Sequence, residues 1–162
     1  MPDIESPTTE ATRKRNANAV RRMYQCDRDR DLESWCSLWN PEGRATFPAC
    51  DYLDPVVGVE ALRQWAAPKY ATRGNVVIRD EILPLVDPTK VLARVRLSFE
   101  RGAGNPPFEG EIWVLFKFDD DGLILEHAEM FDTVGYRDVL MRPATPRPTN
   151  LRPGSLPDRA SA

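Results

Sequence analysis

Between Asn75 and Asp132 the chain passes through four strand-length segments, NVVIRDEILPLV, KVLARVRLSF, FEGEIWVLFKF and LILEHAEMFD, joined by DPTK, RGAGNPP and DDDG. Connections this short, rich in Gly, Pro and Asp, suit neighbouring antiparallel strands; a parallel step needs a crossover of a dozen or more residues. The second half is therefore predicted to be an antiparallel meander.

The first half reads as helical. Thr9 to Asp27 has helix-forming composition with an apolar stripe at Ala19, Val20, Met23 and Tyr24. Leu32, Trp35, Cys36 and Trp39 then fall at i, i+3, i+4 and i+7, a short amphipathic helix closed by Asn40-Pro41. RATFPAC at 44–50 predicts a strand, and Val59 to Trp65, after Gly58 and ending before Pro68, a third helix. A last short helix is expected near Tyr136 to Met141. Segregated helices followed by a meander define an α+β class, with three helices packed over the hollow of a curved antiparallel sheet. No internal repeat is visible.

At 162 residues the chain has the usual size of a single domain. The expected divisions are a disordered N-terminus at 1–8, one α+β domain at 9–141 and an extended Pro-rich tail at 142–162. A net charge of −3 supplies no strongly basic surface for phosphate backbones or anionic lipid, so neither nucleic acid nor membrane is an expected partner. No apolar run approaches the ~20 residues of a membrane span and the N-terminus has no signal-like apolar core, which predicts a soluble, cytoplasmic protein. Cys26, Cys36 and Cys50 form no CxxC pair and His127 is the one histidine, so no disulfide framework, metal site or cofactor is expected.

The element order, with LILEHAEMFDTVGYRDVL closing the sheet, resembles the nuclear transport factor 2-like (cystatin-like) superfamily. That closing stretch is similar to the end of SnoaL-like polyketide cyclases, and RKRNANAVRRMY, FKFDDDGLILEHAEMF and NLRPGSLPD resemble the PhzA/PhzB proteins of phenazine biosynthesis. The resemblance implies a cone enclosing a small-molecule pocket, and a homodimer formed through the outer sheet face. Exposed apolar alternation at Trp113 and Leu115 agrees with the latter.

The resemblance places Glu129 where both families carry a catalytic carboxylate. It also marks departures. The phenazine proteins' helical His is replaced by Trp65, and the ketosteroid isomerases' Asp, Tyr and Asp fall at Phe47, Met23 and Val114. An epoxide-hydrolase Asp-Arg-Asp set is matched by Glu129 and Arg94 but broken at Arg96.

Read from the residues alone, Leu125, His127, Glu129 and Phe131 share one side of the last strand, which sets an imidazole and a carboxylate about 6 to 7 Å apart on an apolar face. A carboxyl buried there has a raised pKa and suits proton transfer, with His127 assisting. The alternative turns Ile124, Ala128 and Met130 inward. On KVLARVRLSFE, Arg94 and Arg96 alternate with apolar residues; they lie either on a solvated outer face or in the cavity, where they would bind an acidic ligand. Trp65, Phe47, Val114 and Phe116 are candidate pocket lining, and Tyr24 and Asp29 further substrate contacts, because some dehydratases of the superfamily carry a Tyr and an Asp at the end of the first helix.

The function these readings predict is a cofactor-independent acid–base enzyme of specialised metabolism. It would isomerise, cyclise or dehydrate a cyclic or aromatic carbonyl compound. The alternative is a non-catalytic small-molecule-binding or dimerisation protein of the same fold.

Overall fold

The computed structural model describes residues 7–51, 53–100 and 107–135. Helix α1 (Pro7–Asp29) and the short α2 (Leu32–Cys36) lead into strands β1 (Trp39–Thr46) and β2 (Val56–Val57) and helix α3 (Val59–Thr72). Strands β3 (Gly74–Pro84), β4 (Lys90–Glu100), β5 (Phe108–Phe118) and β6 (Ile124–Phe131) follow. They form one six-stranded sheet in the order β2-β1-β6-β5-β4-β3. The meander is antiparallel throughout, and β1 closes against β6 in parallel.

Side chains at alternate positions of β4 and β5 form the face that meets the helices. On β4, Val91, Ala93, Val95, Leu97 and Phe99 are buried; on β5, so are Phe108, Ile112, Val114, Phe116 and Phe118. One inner position of β5 is Gly110, where an added Cβ would stand 2.5 Å from the Phe108 ring. The missing side chain lets Phe108 lie back over the strand against Phe99, with ring centroids 5.0 Å apart. Helix α1 is fixed across the sheet by side chains as well as by packing. Arg13 Nε donates to the Leu85 carbonyl at 2.9 Å, and the fully buried Asn16 donates to the Pro88 carbonyl at 2.9 Å.

Three elements depart from the sequence expectation. The second helix stops at Cys36, and Trp39 opens β1 instead of closing the helix. The cause is the parallel partner: the Ile124 N–H donates to the Leu38 carbonyl at 2.9 Å and Trp39 pairs with Ile124, drawing the chain into the sheet five residues before Arg44. Between Trp39 and Arg44 the register shifts, and Gly43 sits there because a Cβ would come within 2.7 Å of the Ile124 carbonyl. Helix α3 runs through Pro68 to Thr72, although an internal proline removes one helical hydrogen bond. Buried Leu62 and Ala66 anchor it before the proline, and Lys69 and Tyr70 bond to α1 after it. Strand β2 is too short to carry an alternation signal. The helix expected at Tyr136 to Met141, the tail and residues 1–6 lie outside the described residues.

Candidate active site

The inner faces of β3, β4, β5 and β6 and the three helices line a partly open cavity of about 430 Å³. His127 and Glu129 line it, 7% and 9% exposed. Strand β6 reaches this arrangement through an irregularity: Phe118 pairs with Ile124 but Lys117 with Glu126, so Leu125 is an inserted residue. Ile124 can therefore be buried on the same face as His127 and Glu129. The expected alternation holds from His127 onward, while Ala128 and the exposed Met130 take the other side.

The pair sits in apolar surroundings. The His127 ring meets Phe116 edge-on at 5.1 Å and Trp39 at 5.9 Å, and its Nε2 lies 3.9 Å from Glu129 Oε2. Burial pushes the Glu129 carboxyl up to about 7, against the pull of Lys69 and Arg73. Burial, helped by Lys69, pushes the imidazole down to about 4. Near neutral pH the histidine is thus uncharged, while Glu129 is divided between acid and carboxylate. One group can give or take a proton, and its neighbour can donate or accept a hydrogen bond without becoming a cation.

Across the cavity from the sheet stands a second polar group that the sequence reading missed. Lys69 Nζ donates to Asp27 Oδ1 at 2.7 Å and the Tyr70 hydroxyl to the same oxygen at 2.6 Å. The ammonium also lies 5.3 Å from the Trp35 ring and 5.0 Å from that of Tyr70. Burial and the Asp27 charge push the Tyr70 hydroxyl far up, so it remains a donor. The signal was present in the spacing. Val20, Met23, Tyr24 and Asp27 fall at i, i+3, i+4 and i+7, as do Leu62, Trp65, Ala66 and Lys69. Each charge ends an apolar helical stripe, and the second was hidden by ending the helix before Pro68.

The other expected site residues divide. Phe47 and Trp65 line the cavity with ring centroids 5.7 Å apart. Val114 and Phe116 are fully buried cross-strand neighbours of Glu129 and His127, supporting them from the core. Tyr24 is buried against Phe116, outside the lining, and its hydroxyl has no hydrogen-bond partner among the described residues; burial and then the Glu129 charge keep that hydroxyl protonated. Asp29 is exposed and accepts from Gln25 at 3.0 Å, so Asp27 and not Asp29 is the carboxylate that α1 presents to the cavity.

Arg94 and Arg96 face away from the cavity. Because Ala93, Val95 and Leu97 fill the inner face of β4, both guanidinium groups fall on the outer one, where they bind Glu111 at 2.9 to 3.1 Å. Among the described residues no group of three His, Cys, Asp or Glu is placed to hold a metal ion, and no helix is long and apolar enough to cross a membrane.

This geometry can be set against known proteins. The family model for the SnoaL-like domain matches residues 20–127, from the stripe of α1 to the histidine of β6. The chain belongs to the SnoaL-like family. Solved structures share its α+β fold with the curved, unclosed sheet. PhzB2, a phenazine biosynthesis-related protein from Pseudomonas aeruginosa, is 16% identical, with a TM-score of 0.68 over 91% of this chain and 98% of that one. A candidate SnoaL-like polyketide cyclase from Jannaschia sp. CCS1 is 18% identical, with a TM-score of 0.66 over 86% and 98%. Rv0760c from Mycobacterium tuberculosis, solved in complex with estradiol-17beta-hemisuccinate, is 16% identical, with a TM-score of 0.61 over 72% and 92%. At such identities the likeness is one of fold. Among proteins of curated function, no sequence matches this SnoaL-like chain.

Proposed function

We propose that this SnoaL-like protein is a cofactor-independent acid–base enzyme of specialised metabolism that isomerises, cyclises or dehydrates a cyclic or aromatic carbonyl compound. The observation that carries the reading is Glu129: a cavity-lining carboxyl with a pKa near 7, beside a neutral imidazole at 3.9 Å. A base is most useful when its pKa lies near the working pH. Relatives of this fold include a phenazine biosynthesis-related protein and a candidate polyketide cyclase, and one neighbour holds a steroid derivative, which supports a ring compound as the ligand here.

The carboxylate of Glu129 takes a proton from the carbon beside the substrate carbonyl, and the electron pair moves into the carbonyl to give an enolate. His127, uncharged, donates an N–H hydrogen bond to the enolate oxygen. The proton now on Glu129 is then delivered to a second carbon, which completes an isomerisation, or to a departing hydroxyl, which completes a dehydration. The apolar lining limits loss of that proton to water.

Glu129→Gln keeps the shape of the acid but cannot take up a proton. With a turned-over substrate in hand, its kcat should fall by roughly 100-fold or more while ligand affinity stays near that of the wild type. An unchanged kcat would leave a binding protein as the better description. We further propose a homodimer through the outer sheet face, supported by Trp113 and its cross-strand partner Met130, 37% and 38% exposed. Sedimentation velocity should show a dimer that Trp113→Glu dissociates.

A further inference from the structure

Among the described residues three cationic side chains line the cavity, Arg30, Lys69 and Arg73, and they are not equivalent. Lys69 is neutralised by Asp27. Arg30 and Arg73 belong together: the Arg30 guanidinium donates to the Arg73 carbonyl, joining the end of α1 to the end of α3. The Arg73 guanidinium lies 4.2 Å above the Phe99 ring, spread on the apolar wall. Among the described residues neither Arg30 nor Arg73 has a carboxylate within 4 Å, although Glu100 also lines the cavity and pairs across the sheet with Gly74.

A guanidinium stacked on an aromatic wall keeps the edges of its fork available, and that fork matches a carboxylate or an ionised enol in geometry and charge. Taken partly out of water, and with no carboxylate within 4 Å among the described residues, the Arg73 guanidinium gains most from an anion that arrives with a ligand. Glu129 and Arg73 line the same cavity, and the carboxyl feels the Arg73 charge. Between them the lining is aromatic and aliphatic, with Phe99, Trp65, Ile112 and Phe131.

We infer that the ligand of this cavity is a ring compound bearing an anionic group, held at that group by Arg73 and Arg30 with its ring against the apolar wall and its reacting carbon toward Glu129. The inference rests on the proposed function for the last of these features only; the charge preference stands without proton transfer. The acid-binding role that the sequence left open for Arg94 and Arg96 on β4 passes to a pair at the helix ends.

The test is a matched pair of probes, 2-naphthoate and 2-naphthamide, which share rings and size and differ in charge. Binding is read by calorimetry and by quenching of Trp35 and Trp65, which line the cavity. Naphthoate should bind about 10-fold or more tightly than the amide. Arg73→Leu, and independently Arg30→Gln, should narrow that ratio to within about 3-fold by weakening naphthoate alone. Equal affinity in the wild type, tighter binding of the amide, or no binding of either probe at about 1 mM would each overturn the inference. So would variants that weaken both probes equally. The wild-type comparison needs no variant to fold. Glu129→Gln should retain the naphthoate preference. A kept preference with unchanged turnover in that variant defeats the enzymatic reading alone, and a lost rate with no charge preference defeats this inference alone.

Discussion

Replacing Glu129 by Gln removes a carboxyl that burial makes reluctant to ionise, and this should be visible in stability without any substrate. Its pKa rises from the ordinary 4.5 to about 7 on folding. A raised folded-state value means that the native protein binds this proton more tightly than the unfolded chain. The contribution is fully present below pH 4.5 and is lost as pH rises through 7. About 2.5 units at 1.36 kcal/mol each amount to a cost of roughly 3 kcal/mol in the wild type at pH 8, absent from the variant. For a domain of this size that corresponds to a melting temperature about 6 to 12 °C higher for Glu129→Gln at pH 8, shrinking to near zero at pH 4. Thermal unfolding by circular dichroism on both proteins from pH 4 to 9 measures the difference curve. His127 works in the opposite sense, since its lowered pKa gives stability present above 6.5 and lost as pH falls through about 4; being common to both proteins, it cancels in the difference. A difference that does not change with pH, or a variant less stable than wild type at pH 8, would refute the assignment of Glu129 as a desolvated carboxyl.

Lys69→Met removes a positive charge that holds Glu129 down, so the acidic limb of a pH–rate profile should move to higher pH, by about one unit, with the Glu129 titration followed by NMR moving alike. Arg94→Gln and Arg96→Gln should leave turnover and ligand affinity within about 2-fold, because both side chains bind Glu111 on the far side of the sheet; a larger loss in either would show that the outer face reports on the cavity. Gly110→Ala forces the Phe108 ring away from Phe99 and should cost about 1 to 3 kcal/mol in urea unfolding, with no such loss if the ring swings out freely.

What could be read from residues follows the reach of each signal. Alternation over β4 and β5 is local and regular, so the meander and the helices before it were legible, while the RGAGNPP turn lies largely outside the described residues. So was the His127 and Glu129 face, since Phe131 lies beside them on the cavity lining. The direction of Arg94 and Arg96 was left open because period 2 separates two faces without saying which one the helices cover. Trp39 and Pro68 misled for a related reason. A helical spacing and a helix breaker are both local statements, and each was overruled by a distant partner, Ile124 in one case and Asp27 in the other. The Asp27–Lys69–Tyr70 group depends on two helices meeting, which neither stripe reveals by itself.

The parallel pairing of β1 with β6 sets Ala45 beside His127 across more than half of the described chain. A contact of such sequence separation closes a long loop, and its entropy must be met before the contact gives anything back. Hairpins β3–β4, β4–β5 and β5–β6 need only local closures. The histidine and glutamate are therefore carried on the strand that joins an early-forming meander to the start of the chain. A molecule with the meander formed but β1 undocked would keep His127 and Glu129 on β6 and lose the Trp39 ring that packs against the imidazole.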